Sequence, residues 1–567
     1  MLSTYTYPRY AYRRPAELDA PDRVQRHPVV VVGAGPVGLA AAIDLAQQGL
    51  RVLLLDDDDT VSIGSRGLCY AKRTLEILDR LGCGQRVVDK GVTWNVGRTF
   101  HREHEVFHFN LLPEPDHRRP GMVNLQQYHL EQFLVERAMA LPGIDLRWKN
   151  KVTAVTPQGD GALIAVETED GACTLHADWL VVADGARSPI RRHLGLDMAG
   201  QVFKDRFLIA DVLMKQPLFE AGQAERWFWF DPPFHPGQSV LLHREADDVW
   251  RIDFQLGWDA DPEAEKQPER VIPRIRSMLG PEREFQLEWV SVYTFQCRRM
   301  QAFRHGRVLF TGDAAHQVSP FGARGANSGI QDTDNLAWKL KLVIDGLAPD
   351  GLLDSYDHER GAAADENLMN STRSTDFITP KSAVSKDFRN AVLTLALTPE
   401  HAFARTLVNS GRLSVPAHLT ASPLNTPDAD TFEGVMQPGA PLADAPVQHQ
   451  GREDWLLQHT GGRFVLLLFV PTLAALPPAT RQLIAHIARQ PVSVHTLLLT
   501  DEDSNADSDA PTGATVLADT RQRVRERLDG RPGTAYLLRP DQHVAARWRQ
   551  LDAGALNSAL TRATGHT

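Results

Sequence analysis

The 567-residue chain holds only four cysteines, Cys69, Cys83, Cys173 and Cys297. They are widely scattered, with no C-x-x-C and no zinc-type spacing. A disulfide framework, a dithiol redox motif and a cysteine-held metal are therefore excluded. No metal is expected, and a reduced, cytoplasmic setting is the simple reading. Long uncharged apolar runs are also missing. The most apolar stretch, "VVVVGAGPVGLAAAIDLA", is interrupted by glycines, a proline and an aspartate, which makes it a poor membrane span. The N-terminus has neither an apolar h-region nor a cleavage site, so residues 1–27 read as a flexible or draped extension. Positive charge is in deficit, with a formal net charge of -10. This argues against a nucleic-acid partner, and no membrane partner is expected.

What is present fits a multidomain globular protein, 43% hydrophobic and 23% charged, too long for one ordinary core. Four short apolar runs stop at a glycine or an acid: "PVVVVGAG" from Pro28, "RVLLLD" from Arg51, "DWLVVADG" from Asp178 and "RVLFTGD" from Arg307. Runs of this kind suit strands of a parallel sheet covered on both faces. The expected fold is α/β, with a discontinuous Rossmann-like domain over 28–205 and 299–411. Between these parts, "ERWFWFDPP", "QSVLLHRE" and "VWRIDFQLGW" are rich in aromatic and β-branched residues. They predict an inserted, mostly antiparallel sheet over 206–298. A Pro-, Ala- and Thr-rich linker is placed at 412–431. Residues 432–567 read as a small second α/β domain, within which "DEDSNADSDAP" is an acidic solvent loop.

"VVVVGAGPVG" sets Gly33, Gly35, Pro36 and Gly38 between a strand and a helix. The first glycine permits the turn, the second lets a pyrophosphate approach the backbone, and the third lets helix and strand pack closely. The helix start then offers free N–H groups to phosphate. Asp56, about twenty residues on, stands where a ribose-binding acid belongs. Two further strand ends carry Asp184-Gly185 with Arg187 and Ser188, and Asp313 in "TGDAAH". Three strand ends converging on one crevice imply a long ligand lying across the sheet.

With these motifs in order over residues 28–365, the chain resembles the class A flavoprotein aromatic hydroxylases, the p-hydroxybenzoate hydroxylase-like family. The resemblance implies FAD as cofactor and NADH or NADPH as reductant. It assigns Gly33, Gly35, Gly38 and Asp56 to the ADP moiety. Arg66 in the Ser65-Arg66 pair and Gln127 opening a Q-x-x-L-E pattern are assigned to the flavin. Asp184 and Gly185 match the family's DG motif, and Asp313 its ribityl-binding acid. The C-terminal part resembles the thioredoxin-like extension of phenol and polyketide hydroxylases. It contains no cysteine, so thiol–disulfide exchange is excluded and a structural or interfacial role is implied.

The implied reaction is aromatic monooxygenation: reduced FAD takes up O₂ as a C4a-hydroperoxide, which hydroxylates a phenolic ring. Such a site needs water exclusion and positioning more than acid–base machinery, and no catalytic triad or paired carboxylates stand out. The loop Ser319 to Gly325 would face the flavin, with Pro320 beside the substrate. Gly322, Gly325, Ala326, Asn327 and Gly329 would form the cradle. Many members have glutamine where this chain has Arg324, a second cation that could tune the flavin, bind an acidic substrate, or face solvent. Trp227, Trp229, Phe254 and Trp258 are candidate pocket walls, although strand aromatics also serve as plain core. His235, His243 and Tyr293 could polarise a phenol. His316 is read as structural. The expected partners are a small aromatic substrate, O₂ and NAD(P)H, with the assembly open between monomer and homodimer.

Two rival readings remain. "WFWFDP" at Trp227 resembles the W-x-W-x-I-P motif of flavin-dependent halogenases but has Asp231 where isoleucine should stand, and no catalytic lysine is assignable. A non-catalytic flavin-binding protein is the other.

Overall fold

A computed structural model of the chain describes residues 2–19, 23–219, 223–411, 413–501 and 510–566. The acidic stretch expected as a solvent loop lies, at 502–509, outside the described residues.

Three large sheets organise the molecule. In the first, the strands Val308–Phe310, Gly171–Val182, Gln25–Val32, Val52–Leu55 and Ile144–Arg147 lie side by side and run parallel. Val30 sits between Leu180 and Leu53 in register. The four apolar runs are thus neighbours, buried on both faces as a covered parallel sheet requires. Helix α1 (Pro36–Gln47) packs on it, together with α2 (Lys72–Leu81) and α3 (Gln127–Met139). The strands Lys151–Gln158 and Gly161–Thr168 extend Gly171–Val182 as an antiparallel flap.

The second sheet has eight strands, ordered His316–Gln317, Gln286–Met300, Met198–Leu213, Val249–Leu256, Ser239–Arg244, Glu225–Phe230, Val96–His101 and His104–Asn110. It is therefore not confined to 206–298. A hairpin from residues 96–110 completes it, with Val96–His101 running parallel to Glu225–Phe230. That hairpin leaves no apolar run in the sequence, because "NVGRTFHREHEVFHFN" alternates buried with half-buried or exposed positions.

The two faces of this sheet differ, and the difference positions the site. Outward, Leu208, Val240, Trp250, Ile252 and Phe254 are buried under α4 (Pro268–Leu279) through Val271 and Ile275. Inward, Phe207, Phe228, Phe230 and Phe295 cluster with Phe321 of the 319–325 loop. Beyond that loop, α5 (Gly325–Ile344) and the long α6 (Asp354–Ile378) return to the first sheet.

The third sheet combines parallel strands Phe464–Phe469, Val494–Thr500 and Ala514–Ala518 with antiparallel Ala535–Leu538 and Val544–Trp548, and has apolar clusters on both faces. The hairpin Pro446–His449/Arg452–Trp455 forms its other edge. A buried ion cluster docks this unit on α5 and α6. Glu359 pairs with Lys339 at 2.6 Å and Arg539 at 2.6 Å, and Arg539 also pairs with Asp541. Removing one partner from such a buried cluster would cost about 3–5 kcal/mol, because a charge would be left uncompensated. The segment expected as a linker follows a defined path: Ser422 donates to Glu359, and Asp428 pairs with Arg547 at 2.6 Å.

The N-terminal residues are draped. Tyr5 stacks on Tyr128 at 4.2 Å and Tyr10 on Trp148 at 4.6 Å. The Tyr7 hydroxyl accepts from the Gly64 N–H at 2.8 Å.

Candidate active site

The carboxyl ends of four parallel strands form one rim. Gly33 N donates to Leu55 O at 2.8 Å, Ala183 N to Val32 O at 2.9 Å, and Thr311 N to Val182 O at 3.0 Å. The glycine turn, Asp56, Asp184-Gly185 and Asp313 are thereby brought together. A Cβ on Gly33, whose φ is +104°, would sit 2.4 Å from Ala183 O. One on Gly38 would sit 1.8 Å from Gly33 O. The neighbouring strand end at Ala183 demands the first glycine, and close packing of α1 on its strand demands the second. A Cβ on Gly35 would meet nothing within 4 Å, so the start of α1 faces open space, with Pro36 as its first residue.

The acids on this rim differ. Asp56 is engaged by the protein, accepting from Ala34 N at 2.5 Å and Asp58 N at 2.8 Å, and burial pushes its pKa up to about 6. Asp184 accepts from Ile190 N at 3.2 Å through Oδ2, while its buried Oδ1 has no partner. Gly185 has open space at its Cβ position, and Arg187 is exposed. No protein donor among the described residues reaches the Asp313 carboxylate. Water reaches Asp313, yet surrounding protein strips enough of it to raise the pKa, helped by Asp332 and opposed by His316. An unpartnered carboxylate walled into a cleft fits a ligand that brings hydroxyl donors. Together with the open helix start, this is the donor set and space that an FAD ribityl–pyrophosphate chain requires.

Gln127 is committed to the protein. Its Oε1 accepts from Gly67 N at 2.8 Å, and its Nε2 donates to Glu131 Oε1 at 2.7 Å and Ser62 Oγ at 3.2 Å. It thus fastens the loop that carries Ser65 and the exposed Arg66. His316 pairs with Asp332 at 2.6 Å and is buried, in keeping with a structural histidine.

In the 319–325 loop, Phe321 is anchored among Phe207, Phe228 and Phe295 while Pro320 is exposed. Gly322 adopts φ +117°. Gly325, Ala326 and Asn327 form the first turn of α5, and Asn327 bridges to the strand Cys69–Ala71 by accepting from Ala71 N and donating to Cys69 O, both at 2.8 Å. Two expectations change here. Arg324 does not face solvent: it is 1% exposed, and its guanidinium donates to Asn367 Oδ1 at 2.5 Å and Leu413 O at 3.3 Å. Gly329 is not part of a flavin cradle, because its Cβ position lies 2.6 Å from Val37. It lets α5 approach α1.

On the substrate side, period-2 alternation separates the candidates. Trp227, Trp229 and Phe254 belong to the outward cluster under α4, away from Phe321. Trp229 instead lines an open cleft of about 420 Å³ with Arg102, Glu103, Pro233, Phe234 and Ser277. Trp258 is largely exposed and donates to Asp205 at 3.0 Å, and His235 meets Gln255 O at 2.7 Å. Tyr293 and His243 do lie on the inward face. Tyr293 stacks on Phe207 at 5.9 Å, and burial, with Asp253 adding, raises its pKa well above the usual phenol value. His243 lies 3.4 Å from the Asn124 amide and is held neutral by burial, reinforced by Arg226 and Arg251.

The same face carries charged residues that no sequence motif marks. Arg251 pairs with Asp253 at 3.1 Å and donates to the carbonyls of Ser65 and Arg66. Asp211 accepts from Ser65 Oγ at 2.5 Å, and its pKa is pushed up to about 7 by burial despite Arg251. Glu245, buried beside Asp211, is raised further. Arg226 donates to Ser410 O at 2.7 Å and is lowered to about 10 by burial. The signal was present in "VWRIDFQL", where Arg251 and Asp253 alternate with Trp250, Ile252 and Phe254. Placing the apolar set under a helix leaves the polar set facing the flavin loop.

Comparison with known proteins agrees with this geometry. Residues 26–371 match the FAD binding domain family and residues 442–563 the HcaD C-terminal domain family. The chain is 30% identical to 6-methylpretetramide 4-monooxygenase of Streptomyces rimosus, over 96% of this chain and 94% of that one. It is 31% identical to para-nitrophenol 4-monooxygenase of Pseudomonas sp. strain WBC-3, over 59% of this chain and 82% of that one. Among solved structures, the flavin-dependent monooxygenase PieE in complex with FAD and substrate superposes with a TM-score of 0.78 at 23% identity, over 97% of this chain and all of that one. The chain belongs to the class A FAD-dependent aromatic monooxygenases. It is of the longer type that carries a C-terminal α/β domain.

Proposed function

We propose that this monooxygenase hydroxylates a phenolic ring held between Pro320 and the inward face of the second sheet, with NADH or NADPH as reductant. The observation that carries the reading is that this face sets Asp211, Arg251, Asp253 and Tyr293 beside the aromatic cluster that holds Phe321, whereas the outward face packs its apolar residues under α4. Bound FAD would supply the redox chemistry: oxidation of the nicotinamide and activation of O₂. Gly33, Gly35 and Pro36 would admit the pyrophosphate at the start of α1, and Asp56 the adenosine ribose. Asp184, Gly185 and Asp313 would line the ribityl chain, and Gly322, Gly325, Ala326 and Asn327 the ring. Arg66 and Arg187, exposed on neighbouring loops, are suited to attract the nicotinamide phosphates.

The chain's own contribution is to orient and to exclude water. Tyr293, half-buried and kept as a neutral phenol, can donate its proton to the oxygen of a substrate phenol. The Arg251–Asp253 pair steadies Tyr293 and, through Arg251, the Ser65-Arg66 loop. His243, kept neutral, can accept the substrate proton at a ring nitrogen. Phe207, Phe228, Phe295 and Phe321 keep water from the reacting ring. The halogenase reading loses its footing, because Trp227 and Trp229 lie outward under α4. The four free cysteines support our placing the enzyme in the reducing cytoplasm. No helix among the described residues is long and apolar enough to cross a membrane.

The test is a panel of single-ring and fused-ring phenols added to FAD-loaded enzyme, monitoring NADH and NADPH oxidation and analysing products. Stimulated oxidation with a singly hydroxylated product supports the proposal. A halide-dependent product, or no stimulation by any phenol, overturns it.

A further inference from the structure

We propose that the C-terminal domain carries a binding site for a divalent transition-metal ion, Zn²⁺ or a congener, formed by His449, Asp454 and His459. His449 ends the strand Pro446–His449, Asp454 lies on its partner Arg452–Trp455, and His459 ends the following 3-10 turn Leu456–His459. In the hairpin register Val447 pairs with Asp454. Residues two apart on a strand share a face, so His449 and Asp454 are diagonal neighbours on one side. One ligand atom from each of the three residues lies within 4.8 Å of the other two. His459 Nε2 is 3.0 Å from Asp454 Oδ2, and the two imidazole rings meet edge to face at 5.0 Å.

Around a tetrahedral zinc with bonds of about 2.0–2.2 Å, ligand atoms stand roughly 3.3–3.5 Å apart. Side-chain rotation of about 1 Å would therefore complete three of the four positions, with water at the fourth, because all three residues are half-buried. The carboxylate is already oriented: Asp454 Oδ1 accepts from the Trp455 N–H at 2.8 Å, leaving Oδ2 toward the histidines. Such outer hydrogen bonds commonly hold metal ligands in place. Two imidazoles and one carboxylate favour zinc, cobalt or nickel over calcium or magnesium. The cysteine spacing that argued against a metal is blind to this set, which holds no cysteine.

The position suggests a structural consequence. Leu457, inside the same turn, accepts from Gln542 Nε2 at 3.1 Å, and Gln542 Oε1 in turn accepts from Arg73 of α2 at 2.8 Å. A bound ion would tie the hairpin to the turn through which this domain meets the FAD-binding part. None of its three ligands is among the residues assigned to the flavin.

The test uses full-length, untagged, FAD-loaded enzyme stripped with chelator and titrated with Zn²⁺ by calorimetry and with Co²⁺ by visible absorption. The expected result is one equivalent per chain and a rise in Tm with Zn²⁺. Affinity should fall at least about tenfold in His449→Ala and in Asp454→Asn, with FAD content unchanged. Using both variants guards against a folding defect in either one. The proposal is overturned if the wild type binds no ion, or if both variants, folded and FAD-loaded, bind with wild-type stoichiometry and affinity.

Discussion

Arg324 Nη1 lies 2.5 Å from Asn367 Oδ1, and its Nη2 reaches the carbonyl of Leu413 at 3.3 Å. One buried guanidinium thus joins the flavin loop, α6 and the segment that follows residue 411. Gly411 backs the same loop, with its Cβ position 3.2 Å from Gly322 N. The loop that would carry the ring is held from behind by a cation that the protein itself engages.

Arg324→Met should therefore act on loop order first. It leaves Asn367 Oδ1 and a carbonyl without their donor, a loss of about 1–3 kcal/mol. Arg324→Lys keeps the charge but not the fork geometry and should recover only part. We expect a lowered Tm and weaker FAD retention, with little change in the flavin potential of the protein that stays loaded. Normal Tm and FAD content with selective loss of an acidic substrate would instead restore Arg324 to the binding site.

Two neighbouring glycines should give opposite phenotypes. Gly38→Ala drives a methyl to 1.8 Å from the Gly33 carbonyl, so backbone must move and the protein should lose both stability and FAD. Gly35→Ala meets no protein atom within 4 Å. Its apo form should melt within about 1 kcal/mol of wild type, as substitutions that clash with nothing usually do. Its FAD affinity should nevertheless fall at least tenfold, because the methyl enters the space where a pyrophosphate must approach. Apo-protein melting curves and FAD fluorescence titrations separate the two cases.

Much of the first sheet is legible in the sequence because covered parallel strands read as apolar runs that end at Gly33, Asp56, Asp184 and Asp313. Among the strands that escape reading, and lack such runs, are Val96–His101, His104–Asn110 and Ile144–Arg147. Their residues are half-buried or edge-placed, so periodicity is faint. The substrate side is misjudged for a different reason. Trp229 and Phe254 point under α4, and the opposite phase of their strands and of Met198–Leu213 holds Asp211, Arg226, Arg251 and Asp253. Which phase faces inward depends on the contact between Phe321 and Phe207, which joins residues more than a hundred positions apart.

That division can be tested directly with Tyr293 and Trp229. Tyr293→Phe removes only the hydroxyl beside Asp253 and Arg251. We expect substrate-stimulated NADH oxidation to fall by about 10²-fold, within the range for loss of a positioned proton donor, while Tm stays within about 1 kcal/mol. Trp229→Ala opens the outer cleft and should cost stability but less than twofold in the stimulated rate. Equal rate losses in the two variants would mean that the substrate does not lie on the inward face.

Asp211 gives a pH signature. Its pKa in the fold is about 7 against 3.8 for the unfolded group, so between those values the native protein holds a proton that the unfolded chain has released. Stability from this group is therefore fully present below about pH 4 and is lost as pH rises through 7, by roughly 2–4 kcal/mol at 1.36 kcal/mol per pKa unit. Asp211→Asn keeps the shape, cannot ionise, and forgoes an ionic hydrogen bond to Ser65. The variant should be equal to or slightly below wild type at pH 5 and gain on it steadily to pH 8, by a few degrees in Tm. A difference in Tm that stays flat from pH 5 to 8 would show that Arg251 keeps Asp211 ionised throughout. The outcome also bears on the site, since a carboxyl that protonates near neutrality beside Ser65 would make the order of the Ser65-Arg66 loop pH-dependent.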